Sequence, residues 1–208
     1  MHNIPNLLSF SRLTATAFIF ILVLLDIPWA FLTATALFVL ASLTDYFDGY
    51  LARRMHVTSP LGVFLDLTAD KIFVTGILIA LIQIGLVPAW IVVIIVAREF
   101  LVTGLRSMAA AKGIVIPAGM WGKQKTFITL VAISILLLAK GLGAHQLSLF
   151  PLMLVFNSQT LNPAEILLLS GDVLLLVATL WTLLSGIEYM TAGLPLLQKE
   201  QETKTSQA

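Results

Sequence analysis

The amino-acid sequence predicts an all-α integral membrane protein, with six transmembrane helices behind a short N-terminal interfacial segment. Composition, hydropathy and punctuation carry that prediction. Of 208 residues, 59% are hydrophobic and only 11% charged, whereas a soluble domain carries about 25% charged residues. Mean hydropathy is +0.99, and apolar runs recur from end to end, so lipid is the solvent for most of the chain. The breaks between runs hold Pro, Gly and isolated charges. Cysteine is absent, which excludes disulfides, thiolate metal sites and a cysteine nucleophile, and leaves the redox compartment undetermined. A formal net charge of +1 says little about partners, because location matters more than the sum in a membrane protein; no nucleic-acid partner is expected.

The amino-terminal "MHNIPNLLSFSRLTATAFIFILVLLD" has the outline of a secretory signal. Its first eleven residues hold no Lys or Arg, and no small-x-small cleavage site follows the apolar run before Asp26. It therefore reads as a retained first span, 11–25, behind the interfacial segment. Asp26 and Pro28 separate it from a second span, 29–54. Ser59 and Pro60 start the third, 60–86, and Gly85 and Pro88 divide that from the fourth, 88–111. "KGIVIPAGMWGKQ", 112–124, has the Gly and Pro of a loop before the fifth span, 125–141. Residues 142–169 are mixed, and "LFPLMLVF" within them is too short to cross, reading as interfacial or re-entrant. The sixth span covers 170–190. From Gln198, "QKEQETKTSQA" lacks an apolar face and is expected to be disordered. The chain thus divides into one transmembrane domain, 1–197, and a tail, 198–208, with no internal repeat and no soluble domain.

Charge orients the spans. Arg53, Arg54 and His56 lie in the second loop, Arg106, Lys112, Lys123 and Lys125 around the fourth, and Lys199 and Lys204 in the tail. The opposite loops carry only Asp26 and Lys140. The positive-inside rule places both termini and the basic loops in the cytoplasm.

With that topology, Asp45 and Asp48 sit near the cytoplasmic end of the second span, and Asp66 and Asp70 in the first turns of the third. Spacings of i,i+3 and i,i+4 put each pair on one helix face, roots about 5–6 Å apart, and the turn through "RMHVTSP" can bring the two faces together. Four carboxylates converging in a partly desolvated site would protonate or disrupt the packing unless neutralised. Hard oxygen ligands suit magnesium or manganese, and the lack of sulfur or clustered histidine disfavours zinc. The bland alternative is solvated acids, with glycines that merely let helices approach. Yet Gly49 and Gly62 each cost about 1 kcal/mol of helix stability relative to Ala. They adjoin the acids, along with Ala52, which favours close approach of a ligand.

Asp45-x-x-Asp48-Gly49-x-x-Ala52-Arg53, then eight residues, then Gly62-x-x-x-Asp66-x-x-x-Asp70, resembles the signature of the CDP-alcohol phosphotransferase family at all eight fixed positions. The resemblance extends over nearly the whole chain and is weakest across 142–169 and the tail. It implies a six-helix membrane enzyme, usually a homodimer, that moves a phosphatidyl group from a CDP-linked lipid to an alcohol and releases CMP. It implies that Asp45, Asp48, Asp66 and Asp70 bind two Mg2+ or Mn2+ ions, and that Asp70 also takes the proton from the attacking hydroxyl. Arg53 would hold a CDP phosphate, with Thr44, Asp48, Gly49, Ala52, Gly62 and Asn6 also on the CDP-lipid side; Asn6 equally suits a cap for the first helix.

The acceptor is read elsewhere. Arg98, Glu99 and Arg106 occur in "AREFLVTGLR", and Lys123 and Lys125 in "GKQKT", 122–126. Arg98 beside Glu99 can be a simple ion pair, and boundary lysines have a topological role. Four basic residues on the side of the acidic cluster nevertheless suit a phosphorylated acceptor. Lys71 and Arg12 are further candidates for that phosphate, although Lys71 can also snorkel to the interface. These segments, with "NIPNLLSFSR", resemble the family members that use sn-glycerol 3-phosphate. Such members have Pro where this chain has Leu67 in "LDLTADK", and Gln where it has Thr129; neither change touches the metal motif. The expected reactants are CDP-diacylglycerol and glycerol 3-phosphate, in a bacterial inner membrane with the site facing the cytoplasm. Inositol phosphate, phosphatidylglycerol or serine are the alternative acceptors. A cation channel or transporter is the alternative function, disfavoured because the acids gather at one side rather than through the bilayer. His2, His56 and His145 form no ligand pattern, Glu165, Asp172 and Glu188 are expected to be solvated, and the four Trp suit interfacial anchoring.

Overall fold

Proline and asparagine start helices in this chain, and left-handed residues stop them. The computed structural model describes residues 4–55, 60–111, 120–144 and 162–205, and they form six helices: α1 (Ile4–Leu24), α2 (Pro28–Met55), α3 (Pro60–Gln83), α4 (Ala89–Ala111), α5 (Met120–Gly141) and α6 (Pro163–Thr205). Pro28, Pro60 and Pro163 each stand first in a helix, where a missing N–H costs nothing and the fixed φ is already helical. Asn162 and Glu165 make a reciprocal cap on α6: the Asn162 N–H donates to Glu165 Oε2 at 2.9 Å, and the Glu165 N–H donates back to the Asn162 carbonyl at 2.9 Å. Glu165 is therefore committed to its own helix, not simply solvated.

Gly85 and Gly143 have φ of 71° and 86° and close α3 and α5 in the same way. The residue after each glycine donates back to the helix, Leu86 to Leu81 at 2.9 Å and Ala144 to Ala139 at 3.0 Å, the pattern that satisfies terminal carbonyls. Asp26, with φ of 50°, ends α1, and its carboxylate lies 3.7 Å from Lys140 at the end of α5.

The helices pack in a ring in the order α1–α2–α5–α6–α4–α3 and back to α1, with α2 and α3 also touching each other through Phe38 and Phe73. Fully buried Ile19, Phe31, Ile77, Leu81, Ile133 and Leu175 fill its interior. Phe18, Ile21, Val93, Phe127 and Leu180 face outward, as expected where the surroundings are hydrocarbon. Among the described residues, two stretches, Gln124–Gly141 and Pro163–Thr191, are long and apolar enough to cross a membrane. Trp29 and Trp90 are exposed near the starts of α2 and α4, in line with an anchoring role.

Three boundaries differ from the sequence reading. The expected interfacial segment is continuous with the first span from Ile4. The "GKQKT" stretch lies inside α5, which starts at Met120. α6 takes in 163–169 and continues through Thr205, so residues 198–205, expected to be disordered, are helical. A formed helix extends at little cost through good helix formers, and Glu200 and Lys204 stand at i,i+4. The "LFPLMLVF" stretch, Lys112, His2, His56 and His145 lie outside the described residues.

Candidate functional site

Tight connections after α1 and α3 turn α2 and α4 back along the helices before them, Gly141 at the end of α5 lies against Leu32 at the start of α2, and α6 runs antiparallel to α5, since Gly171 lies against Leu136 and Gly122 against Tyr189. One end of the ring therefore collects the starts of α1, α3 and α5 with the later turns of α2, α4 and α6. The acidic positions and Lys123, Lys125 and Arg106 fall toward that end, and Arg12, Lys71 and Arg98 nearer the middle of their helices.

The acidic positions follow from helix register. The rings of Phe38 on α2 and Phe73 on α3 stack with centroids 4.9 Å apart and planes at 13°. Asp45 lies seven residues beyond Phe38, and Asp66 seven residues before Phe73. Seven residues are about two turns, so both positions stay on the ring-bearing faces and both lie displaced about 10 Å toward the same end. Asp48 occupies the last turns of α2 and Asp70 the early turns of α3. Asp70 is exposed, next to the fully buried Ala69. The side chains of Asp45, Asp48, Gly49, Ala52, Arg53, Gly62, Asp66, Asn6 and Lys123 lie outside the described residues. Among the described residues no three metal-ligating groups converge.

The basic positions are resolved in more detail, and they separate. Arg98 and Lys125 come together around Glu99: Arg98 Nη1 donates to Glu99 Oε1 at 3.1 Å, and Lys125 Nζ donates to the same oxygen. Arg98 and Lys125 are buried, with side chains only 10% and 6% exposed, and Glu99 is half-buried. Lys125 also lies within electrostatic reach of Asp70, which links this cluster to the acidic end of α3. Lys71 turns instead to α4, donating to Thr103 Oγ1 at 2.6 Å. Arg12 is buried on α1, where its carbonyl accepts from Thr16 at 2.7 Å. Arg106 is exposed, as its position about 80° around the axis from Arg98 requires. Thr44 and Thr129 both close onto their own helices, Thr44 on the Leu40 carbonyl and Thr129 on that of Lys125.

Sequence reasoning missed the contribution of α6. Ser185 Oγ accepts from Arg98 Nη2 at 2.5 Å, and the Arg98 guanidinium lies 5.6 Å from the centroid of the Tyr189 ring. The signal was present in the sequence: Asp172, Thr179, Thr182, Ser185 and Tyr189 recur at helical spacing, and all are buried. A membrane helix turns such a stripe away from lipid. Asp172 therefore corrects the expectation of solvation. It is 3% exposed, and its Oδ1 has no hydrogen-bond partner among the described residues, because it shares a face with buried Leu168 and Leu175.

Chemically, a planar guanidinium and an ammonium sharing one carboxylate form a polar, net-cationic nest suited to an oxyanion. Comparison with known proteins agrees in kind. A sequence model described as CDP-alcohol phosphatidyltransferase matches residues 2–168. A Bacillus subtilis (strain 168) protein named CDP-diacylglycerol–glycerol-3-phosphate 3-phosphatidyltransferase is 36% identical over 92% of this chain and 95% of its own length. Proteins of the same name from Rickettsia bellii and Rickettsia typhi are 34% and 33% identical, covering 91% and 92% of this chain and 94% and 97% of their own.

Proposed function

Because the chain belongs to the CDP-alcohol phosphatidyltransferase family, we propose that it transfers the phosphatidyl group of CDP-diacylglycerol to sn-glycerol 3-phosphate, giving phosphatidylglycerophosphate and CMP. The observation that carries the choice of acceptor is the Arg98–Glu99–Lys125 cluster, buried at the acidic end of the ring. A neutral or zwitterionic alcohol has no use for two buried cations; a phosphate does. Glu99 gives Arg98 and Lys125 the partner that an acceptor phosphate would supply.

Asp45, Asp48, Asp66 and Asp70 would hold Mg2+ or Mn2+, two ions in this reading. The donor set is all oxygen, and the opposed faces of α2 and α3 carry two of its positions to one end, which fits a hard divalent cation. When bound, such ions neutralise the pyrophosphate and stabilise the charge that builds up during displacement. Arg53 binds a CDP phosphate, and Gly49, Ala52 and Gly62 leave room for the nucleotide. Lys125 and Arg98 orient the acceptor phosphate. Asp70 accepts the proton of the acceptor hydroxyl as its oxygen attacks the lipid-side phosphorus, and the bond to the CMP oxygen breaks. The protein works as a multi-pass inner-membrane homodimer with this end toward the cytoplasm, where both substrates' polar groups can reach it.

Purified protein in detergent with CDP-diacylglycerol, Mg2+ and each acceptor in turn should release CMP with glycerol 3-phosphate. Release with inositol phosphate, serine or phosphatidylglycerol, and none with glycerol 3-phosphate, would discard the acceptor assignment.

A further inference from the structure

Glu99 on α4 and three residues of α6 surround the Arg98 side chain, and those three lie beyond the residues 2–168 matched by the family model. Thr179 and Thr182, on the same buried face, close onto their own helix, bonding the carbonyls of Leu175 and Ala178 at 2.8 and 2.7 Å. Ser185 differs, because its hydroxyl is committed to Arg98 across the helix interface. One residue on, a Cβ at Gly186 would stand 3.1 Å from Arg98 Cγ, so any larger residue there would press on the arginine stem, which lies close against α6. Tyr189, one turn after Ser185 and 7% exposed, puts its ring against the guanidinium. Arg98 Nε is buried with no hydrogen-bond partner among the described residues. A guanidinium free to choose would turn to satisfy that donor, so its pose is set by its surroundings, and three of those surrounding residues are on α6.

We propose that Ser185, Gly186 and Tyr189 are positioning residues for the acceptor: they fix the Arg98 guanidinium and thereby set the enzyme's affinity for the acceptor's phosphate. The inference rests on the proposed reaction and adds to it an acceptor-specific role for the last helix. The hydroxyl fixes one Nη, the ring holds the cation from one side by a desolvated cation–π contact, and the glycine sets how near the stem can come. Loss of any one lets Arg98 swing away. A phosphate then finds one charge instead of a fork, while the donor site formed by α2 and α3 is untouched.

CMP release is measured with glycerol 3-phosphate varied at saturating CDP-diacylglycerol, and then the reverse, for the parent and for Ser185→Ala, Gly186→Ala, Tyr189→Leu and Tyr189→Phe. Tyr189→Leu raises the KM for glycerol 3-phosphate by about 3- to 30-fold, the span of a desolvated cation–π contact. The KM for CDP-diacylglycerol stays within about twofold, a shift too small to count as lost binding. Tyr189→Phe, which keeps the ring, restores the acceptor KM, and Ser185→Ala and Gly186→Ala move it in the same direction as Tyr189→Leu. If the parent is active and the acceptor KM of Tyr189→Leu is unchanged, or both KM values rise together, the positioning role is overturned while the reaction stands. A parent that releases no CMP with glycerol 3-phosphate overturns the proposed reaction and this inference with it. Should Tyr189→Leu fail to fold, the Ser185→Ala and Gly186→Ala pair decides by the same split.

Discussion

Removing the carboxylate at Glu99 leaves two buried cations facing each other, and the cost can be worked from their surroundings. Arg98 and Lys125 are 10% and 6% exposed at the side chain, Glu99 27%. Breaking a fully buried ion pair by deleting one partner costs about 3–5 kcal/mol. Here the Glu99 position is partly open to its surroundings and Arg98 keeps Ser185 and Tyr189, which reduces the expectation for Glu99→Ala to about 2–4 kcal/mol. For a chain of this size about 1 kcal/mol moves a thermal midpoint by 2–4 °C, so the midpoint should fall by about 4–16 °C. Glu99→Gln keeps a hydrogen-bond acceptor without the charge and should lie between the two. The assay is the fraction of monodisperse protein surviving a temperature series in detergent, run with and without glycerol 3-phosphate. A phosphate that takes the place of the carboxylate restores part of the loss. At a ligand concentration 100 times its Kd, binding contributes about 2.7 kcal/mol, and the rise should be larger in Glu99→Ala than in the parent. A Glu99→Ala protein as stable as its parent would refute the reading of Glu99 as the counter-charge. Equal stabilisation of both by glycerol 3-phosphate would refute the idea that phosphate and carboxylate share partners.

Asp70→Asn should keep the midpoint within about 2 °C, because the residue is exposed and exposed substitutions shift stability by only about 0.5 kcal/mol, yet abolish CMP release; normal turnover would remove Asp70 as the base. Chelation with EDTA should stop CMP release, and Mg2+ or Mn2+ should restore it, as read in the same assay. Gly171→Ala should lower the midpoint, since a Cβ there would stand 2.9 Å from Leu136 Cδ2 and Leu136 is fully buried; overpacking of this kind costs about 1–3 kcal/mol. Asp172→Asn should be neutral or stabilising at neutral pH, because it removes an ionisable group that is 3% exposed with an oxygen unpartnered among the described residues while keeping its shape; a lower midpoint would show that the carboxylate has a partner worth keeping.

Local rules made much of this protein legible in one dimension. Apolar runs of membrane length, interrupted by Pro28, Pro60, Gly85 and Gly143, set the number and order of the helices, because a break in helix geometry is a property of one or two residues. The spacing of Asp45, Asp48, Asp66 and Asp70 put each pair on a shared helix face, since helical periodicity is local, and the family followed from the resemblance of the whole pattern, with Gly49 and Gly62, to a known signature. Boundaries were less legible where propensity was weak: the continuation of α6 to Thr205 depends on a helix already formed upstream, which composition in a short window does not reveal.

The basic residues could not be sorted from sequence. Arg98, Arg106, Lys71, Lys123 and Lys125 all read as acceptor ligands, because each is a cation at the right end of a helix. Packing distinguished Arg98 and Lys125, drawn together by Glu99, from Lys71, held by Thr103, and from the exposed Arg106. Ser185 and Tyr189 stand some ninety residues from Arg98 along the chain, and only the seating of α6 alongside α4 and antiparallel to α5 brings them to it. Helix formation and motif spacing are short-range and can be read from neighbours in the chain. The partner of a buried charge is chosen by whichever helix lies across from it, and that is a fact of three dimensions.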